Sequence, residues 1–191
     1  MVKGIIVAVL ILIVLILIPL GCARGYYNSF VDQEENLDMA WANVETVLQR
    51  RFDLIPNLVA TVKGYAEQER ELLTEVTRLR SQWGAAKAAG DTQQSVQTSQ
   101  QLESALARLM VVVERYPDLK SNQNFLALQD QLEGTENRIA VERRRYNEAV
   151  ASYNRSIRKF PAVFFANIFG FERRQPFEAV AGAESAPTVE F

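Results

Sequence analysis

The stretch RRFDLIPNLVATVKGYAEQE, Arg50 to Glu69, decides how the chain is folded. Apolar residues recur at helical spacing on both sides of it, yet Pro56 stands in the middle. Proline lacks the backbone N–H and clashes with the preceding turn, so it is tolerated in the first turn of a helix and costly further in. The sequence therefore predicts a corner here. Pro56 opens a second helix, Asp53 caps it, and Arg50, Asp53, Asn57 and Lys63 cluster at one end of a bundle. These four form a candidate partner surface.

Working outward, Leu37, Trp41, Val44, Leu48 and Ile55 mark the buried stripe of a first helix. Leu58, Val62, Tyr65, Glu69, Leu72, Val76, Leu79 and Trp83 alternate steps of four and three, a heptad seam typical of coiled coils. Asp91 and Gln94 form a capping box for a third helix. Its seam runs Ser99, Leu102, Leu106, Leu109, Val113, Tyr116, and its polar start, TQQSVQTSQQ, reads as an exposed end. Pro117 stops it. A fourth helix from about Asn122 to Lys159 carries Phe125, Leu128, Leu132, Thr135, Ile139, Glu142, Tyr146, Val150, Tyr153, Ile157 and Phe160 on its seam. No strand pattern of useful length is present. Short links favour antiparallel neighbours. The expected fold class is all-α, an antiparallel four-helix bundle over 25–160.

Ahead of the bundle, Gly4 to Ala23 reads GIIVAVLILIVLILIPLGCA, with no charge. Roughly 20 helical residues cross the ~30 Å hydrocarbon core. Residues 1–24 thus form a transmembrane signal anchor or, alternatively, a lipoprotein signal ending at Cys22, which would then be lipidated. Both readings place the bundle on the outer side of the membrane. After Pro161 the chain changes character. PAVFFANIFGF is apolar nearly all round, and the rest of 161–191 loses periodicity. A short helix and extended tail are expected. Phe164, Phe165, Ile168, Phe169 and Phe171 form a candidate membrane-interface or docking segment.

Composition excludes much chemistry. The 191 residues contain no histidine, removing the commonest general base and metal ligand together. The single cysteine forbids an internal disulfide. A net charge of −2 gives no general basis for nucleic-acid binding. No phosphate loop or nucleophile elbow is present. Glu69 and Glu142 lie on apolar seams, where carboxylates could do acid–base work, but filled seams favour pairing with an arginine such as Arg51 or Arg138. Arg51, Glu69, Glu136, Asn137, Arg138 and Glu142 make a candidate buried polar network that would fix helix register. The run Arg143–Arg145 spreads round its helix at roughly 100° per residue, as a solvated face does. No cofactor, metal or small-molecule substrate is expected, and no enzyme activity.

Three blocks complete the reading: RRFDLIPNLVATVKGYAEQE at 50–69, ERYPDLKSNQNFLALQDQLEGTENRIAVERRRYNEAVASYN at 114–154, and FP at 160–161. Through DLIPNLV, VKGY, YPDLK, TENRIA and YN-x-x-V-x-x-YN the chain resembles the LemA family, from Tyr27 to the C-terminus. The resemblance implies a bacterial helical bundle on an N-terminal membrane segment, with no defined reaction. Some relatives are linked to organelle-membrane formation and some are discussed beside membrane proteases. The functional expectation is a membrane-anchored adaptor or scaffold for a protein partner. The alternatives are a membrane-shaping protein that assembles laterally as a homo-oligomer, and an accessory subunit of a membrane protease.

Overall fold

The computed structural model describes residues 2–177, and among them there is no strand. Among the described residues seven helical segments follow one another. The first helix, α1, spans Val2–Lys63, and one 3₁₀ turn follows at Glu67–Glu69. Then come α2 at Arg70–Ala88, α3 at Thr92–Val113, a four-residue α4 at Pro117–Lys120, α5 at Gln123–Ser156 and α6 at Ala162–Phe169. The extended tail expected beyond Phe177 lies outside the described residues.

The predicted corner at Pro56 is not there. Helix α1 continues past it to Lys63, and the chain turns at Gly64–Ala66 instead. The cost of an interior proline is met locally. Pro56 cannot donate to the carbonyl of Phe52, four residues back, and Arg80 Nε from α2 donates to that carbonyl at 3.3 Å. The apolar stripe continues unbroken, with Leu48, Phe52, Ile55, Leu58 and Val62 all buried. Asp53 is therefore no cap. It accepts from Gln49 Nε2 at 2.8 Å, one helical turn away.

Two compact units make up the chain, residues 2–42 with 144–176, and residues 43–143 with Phe177. The 43–143 unit holds four long helical segments, the end of α1, α2, α3 and the start of α5, with the 3₁₀ turn and α4 in the links between them. Pairings that rise along one helix as they fall along the next give their directions. Gln49 meets Lys87 and Phe52 stacks on Trp83 between α1 and α2. Glu75 meets Arg108 and Glu69 meets Arg115 between the α2 side and α3. Arg51 meets Glu136 and Tyr65 meets Asn122 between the α1 and α5 sides. The two segments of each of these three pairs thus run antiparallel.

Half of the predicted capping box at Asp91 forms, since the Gln94 side chain turns to Thr98 and the Asp91 N–H donates to the Ala86 carbonyl instead. The Asp91 carboxylate accepts from the Gln94 N–H at 2.9 Å. The polar start of α3 is exposed on one side only, through Gln93, Gln94, Gln97 and Gln101. Ser95, Thr98 and Ser99 are buried. Thr98 Oγ1 donates to the Gln94 carbonyl and Ser99 Oγ to that of Val96. Hydroxyls satisfied by their own helix can enter a core. On α2 the predicted seam residues Val76, Leu79 and Trp83 are buried, and in the first turn Leu73 is buried where the seam predicted Leu72. At the start of α5, Asn122 Oδ1 accepts from the N–H groups of Asn124 and Phe125 as a cap, and the seam holds as far as Ile157.

Candidate functional site

In the 43–143 unit, charge is drawn inward at one place. Arg51 of α1 is buried and forms an ion pair with Glu136 of α5. Beside them Arg143 of α5 pairs with Glu103 of α3 at 3.1 Å. Burial lowers the Arg51 pKa, Glu136 and Glu103 act against that, and Arg143 adds to it. A guanidinium nonetheless stays protonated in proteins. The group is two cations matched to two anions across three helices. A cleft of about 290 Å³ opens beside Arg51, Glu103 and Glu136 over Leu106, Met110 and Leu132.

Of the predicted network, the structure brings Arg51 and Glu136 together. Asn137 and Arg138 are exposed, because Glu136 and Ile139 face inward and the two residues between them turn away. Glu69 pairs with neither Arg51 nor Arg138. It accepts from Arg115 at 3.0 Å and from the Tyr116 hydroxyl at 3.3 Å, outside any helical seam. Glu142 is half-buried on α5. The Arg143–Arg145 run is not uniformly solvated. Arg143 turns in to Glu103 and lies over the Phe177 ring, 4.4 Å from its centre. Glu103 and Arg143 escape the sequence reading because charges flanking a seam look the same as charges on a wet face.

The polar corner exists at the real turn. The Tyr65 hydroxyl accepts from Asn122 at 2.9 Å, close in sequence to the Glu69–Arg115–Tyr116 contacts. The VKGY and YPDLK motifs thus tie two chain reversals. Arg50, Asp53, Asn57 and Lys63 are exposed along α1 rather than gathered at an end. Lys63 and Val59 line a cleft of about 650 Å³ with Arg70, Leu73, Thr77 and Arg78 of α2. Asp53 lines an adjoining cleft of about 430 Å³ with Gln49, Arg80 and Lys87. Ser81 belongs to both, so they form one groove between α1 and α2.

In the other unit the YN-x-x-V-x-x-YN motif has a structural use. Buried Tyr153 donates to Glu34 at 3.3 Å, and Arg174 reaches the same oxygen at 3.0 Å. Asn154 exchanges two hydrogen bonds with the Arg174 backbone, and the Tyr146 hydroxyl donates to the Gln175 carbonyl. Tyr146 also packs edge-on against Trp41. Burial, then Glu34, pushes the Tyr153 phenol up to about 12. Burial also raises Tyr146. The segment after α6 is thereby strapped to α1 and α5. Glu34 and Arg174 cannot be read from sequence, though the tyrosine–asparagine repeat signals that something is held there.

The docking segment divides. Phe165 stacks on Tyr26, while Phe169 meets Tyr27, and Phe171 meets Tyr27 and Phe30, edge to face. Phe164 and Ile168 face outward, and so does Phe160, which leaves the α5 seam after Ile157. The left-handed Gly170 (φ 77°) ends α6 and directs Phe171 back to α1.

Near the chain start, Ile6, Leu10, Ile11, Leu12, Ile13, Leu15, Leu17, Ile18 and Leu20 are all exposed on α1. A helical face this apolar and this bare needs a non-aqueous surrounding, and its length and composition suffice to cross a membrane. Cys22 is exposed at its end. Among the described residues no group of three His, Cys, Asp or Glu side chains could hold a metal ion.

Fold and site together define a membrane-associated, all-helical protein. The LemA family model matches residues 40–191, and the chain belongs to the LemA family. Relatives include Magnetosome protein MamQ 2 of Paramagnetospirillum magneticum, 30% identical over 175 residues that cover 80% of this chain and 64% of that protein. Magnetosome protein MamQ of Magnetospirillum gryphiswaldense is 29% identical over 79% of this chain and 64% of its own length. Protein LemA of Metamycoplasma hominis is 25% identical, with coverages of 71% and 61%. The chain thus spans somewhat under two thirds of the length of these relatives.

Proposed function

We propose that the chain is a non-enzymatic adaptor or scaffold that holds a protein partner at the bacterial inner membrane, with its helical units on the periplasmic or exterior side. The observation that carries this reading is the contrast between the two kinds of feature. The start of α1 is bare and apolar, as an anchor is. The inward charges of the 43–143 unit are matched to one another, arginine to glutamate. Such matching keeps three helices in register, since removing one member would leave a buried charge without a partner. Anchoring a rigid helical unit raises the effective concentration of whatever it binds there.

The partner surface we assign is the groove between α1 and α2. Its walls carry Lys63, Arg70, Arg78, Arg80 and Lys87 against Asp53. Leu73 and Val59 give it an apolar floor. An acidic amphipathic helix is the partner chemistry this suits. Crosslinking in intact membranes, followed by mild solubilisation and recovery of the full chain, tests the reading. Reproducible recovery of one other protein supports it, and if that protein is a protease the chain is an accessory subunit of it. Recovery of this chain alone would favour lateral assembly. That second reading, membrane shaping, draws on the magnetosome proteins among its relatives and would be seen as deformation of vesicles by purified protein.

A further inference from the structure

Helix α6 lies against the first turns of α1 beyond its apolar run. The run ends at Ala23, and Tyr26 and Tyr27 follow within about 6 Å of helix rise. Helix α1 is unbroken through this region. When the run fills the hydrocarbon, the two tyrosines occupy the interfacial layer in which amphipathic aromatic rings concentrate. Phe165 and Phe169 pack on those two rings, each with centroids 5.1 Å apart, so α6 is held at the same depth.

One side of α6 remains uncovered. Phe164 and Ile168, one turn apart on α6, are 59% and 74% exposed, and Phe160, in the turn ahead of the helix, is 81% exposed. Phe160 and Phe164 touch edge to face at 5.8 Å, making the stripe continuous. The opposite side, Ala162 and Ala166, is buried. Cations flank the row. Arg158 and Lys159 precede it, and Arg158 and Arg173 line a cleft of about 460 Å³ beside Ala166 and Asn167, where Glu172 also stands.

We propose that the Phe160–Phe164–Ile168 row inserts into the headgroup–acyl boundary of the membrane that α1 crosses, with Arg158, Lys159 and Arg173 meeting anionic headgroups. An interfacial helix of this kind buries its apolar face about 5–10 Å into that boundary. The charges favour lipid over a second copy of the chain, which would bring the same cations against these. The proposal is independent of the adaptor reading. A chain with any partner, or none, would be fixed to the bilayer at two places, by the span and by this row.

The test uses the full chain in two sets of vesicles of phosphatidylcholine and phosphatidylglycerol, one with acyl chains brominated near the headgroup end, which reports the row, and one brominated near the chain ends, which reports position 15. Ile168→Trp and, separately, Phe164→Trp place a quenchable fluorophore in the row at exposed positions that leave the buried face of α6 alone. Leu15→Trp reports the span, and Val111→Trp reports an exposed site on α3. The expected result is quenching of the added emission at 168, 164 and 15, by about twofold or more at interfacial depth, with none at 111. Quenching at 15 without quenching at 164 or 168 would place the row in water and overturn the proposal. No quenching at 15 would overturn it too, since the row would have no bilayer beside it. Emission at 168 that is blue-shifted, indifferent to bromine and dependent on protein concentration would assign the row to a second copy instead.

Discussion

At Arg51 the side chain is 7% exposed while its partner Glu136 keeps 38%, and this asymmetry sets what its loss would do. Removing one member of a fully buried pair costs roughly 3–5 kcal/mol, and Glu136 can recover part of its hydration, so Arg51→Met should cost about 2–3 kcal/mol. In a chain of this size that lowers the thermal midpoint by about 5–10 °C, read by circular dichroism in detergent. Arg51→Met with Glu136→Leu should recover most of the loss, because the stranded charge is gone. Tyr153 gives a prediction of opposite pH sense to a carboxylate. Its phenol is held neutral by burial and by Glu34, to about 12. The unfolded chain ionises it near 10. The raised group therefore contributes its full stability below about pH 10, and loses it progressively as pH rises toward about 12. Thermal midpoints should fall across that window, and the fall should be smaller in Tyr153→Phe. Equal pH dependence in both proteins would show that Glu34 and burial do not set the alkaline limit.

At the scale of the element, α1 shows why a strong local signal can point the wrong way. Everything in Arg50–Glu69 that depends on the residue alone argues for a corner at Pro56. An interior proline costs about 3 kcal/mol, and charges stand just ahead of it. The periodicity argues otherwise, since Phe52, Ile55, Leu58 and Val62 step three, three and four across the proline. What settles the matter is Arg80, on another helix and 28 residues away, and no reading of α1 by itself could supply it. The same holds for the charged cluster. Arg51 and Glu136 are legible as inward-facing polar positions, but Glu103 and Arg143 become members only once α3 and α5 are side by side. Seams and caps such as Asp91 are short-range properties, which is why the sequence displays them. On α2 the seam positions Val76, Leu79 and Trp83 are buried as spaced, and only its first turn departs from them, with Leu73 buried in place of Leu72. The Arg80 account makes its own prediction. Arg80→Ala should cost about 1 kcal/mol in the native background, by leaving the Phe52 carbonyl short of a partner. In a Pro56→Ala background it should cost close to nothing, since the alanine restores the helical N–H. Four thermal melts form the cycle, and additive losses would mean that Arg80 does not serve this carbonyl.

For the whole molecule, the question is whether the anchor only provides location or is itself the working part. An adaptor needs its span for proximity, and the sequence of that span is then exchangeable. A laterally assembling protein would use specific side chains along the span, because helix–helix contact in lipid depends on close packing of small and polar residues. Residues 4–23 offer a way to separate the two. Replacing them with an unrelated apolar helix of equal length should leave partner crosslinking unchanged if the groove between α1 and α2 is the binding surface. Inserting an arginine at Leu15 should instead deplete the membrane fraction, since a central arginine costs about 2.5–3.5 kcal/mol on insertion scales. The groove is then tested with the native span in place. Lys63→Glu with Arg78→Glu reverses two charges on its walls, at exposed positions outside the buried seams. Reversing rim charges slows association with an acidic partner and should lower crosslinking yield on the order of fivefold, with the deficit growing as salt is reduced. If the span exchange abolishes crosslinking and the charge reversal does nothing, partner choice lies in the membrane segment, and the helical units serve to space or support it.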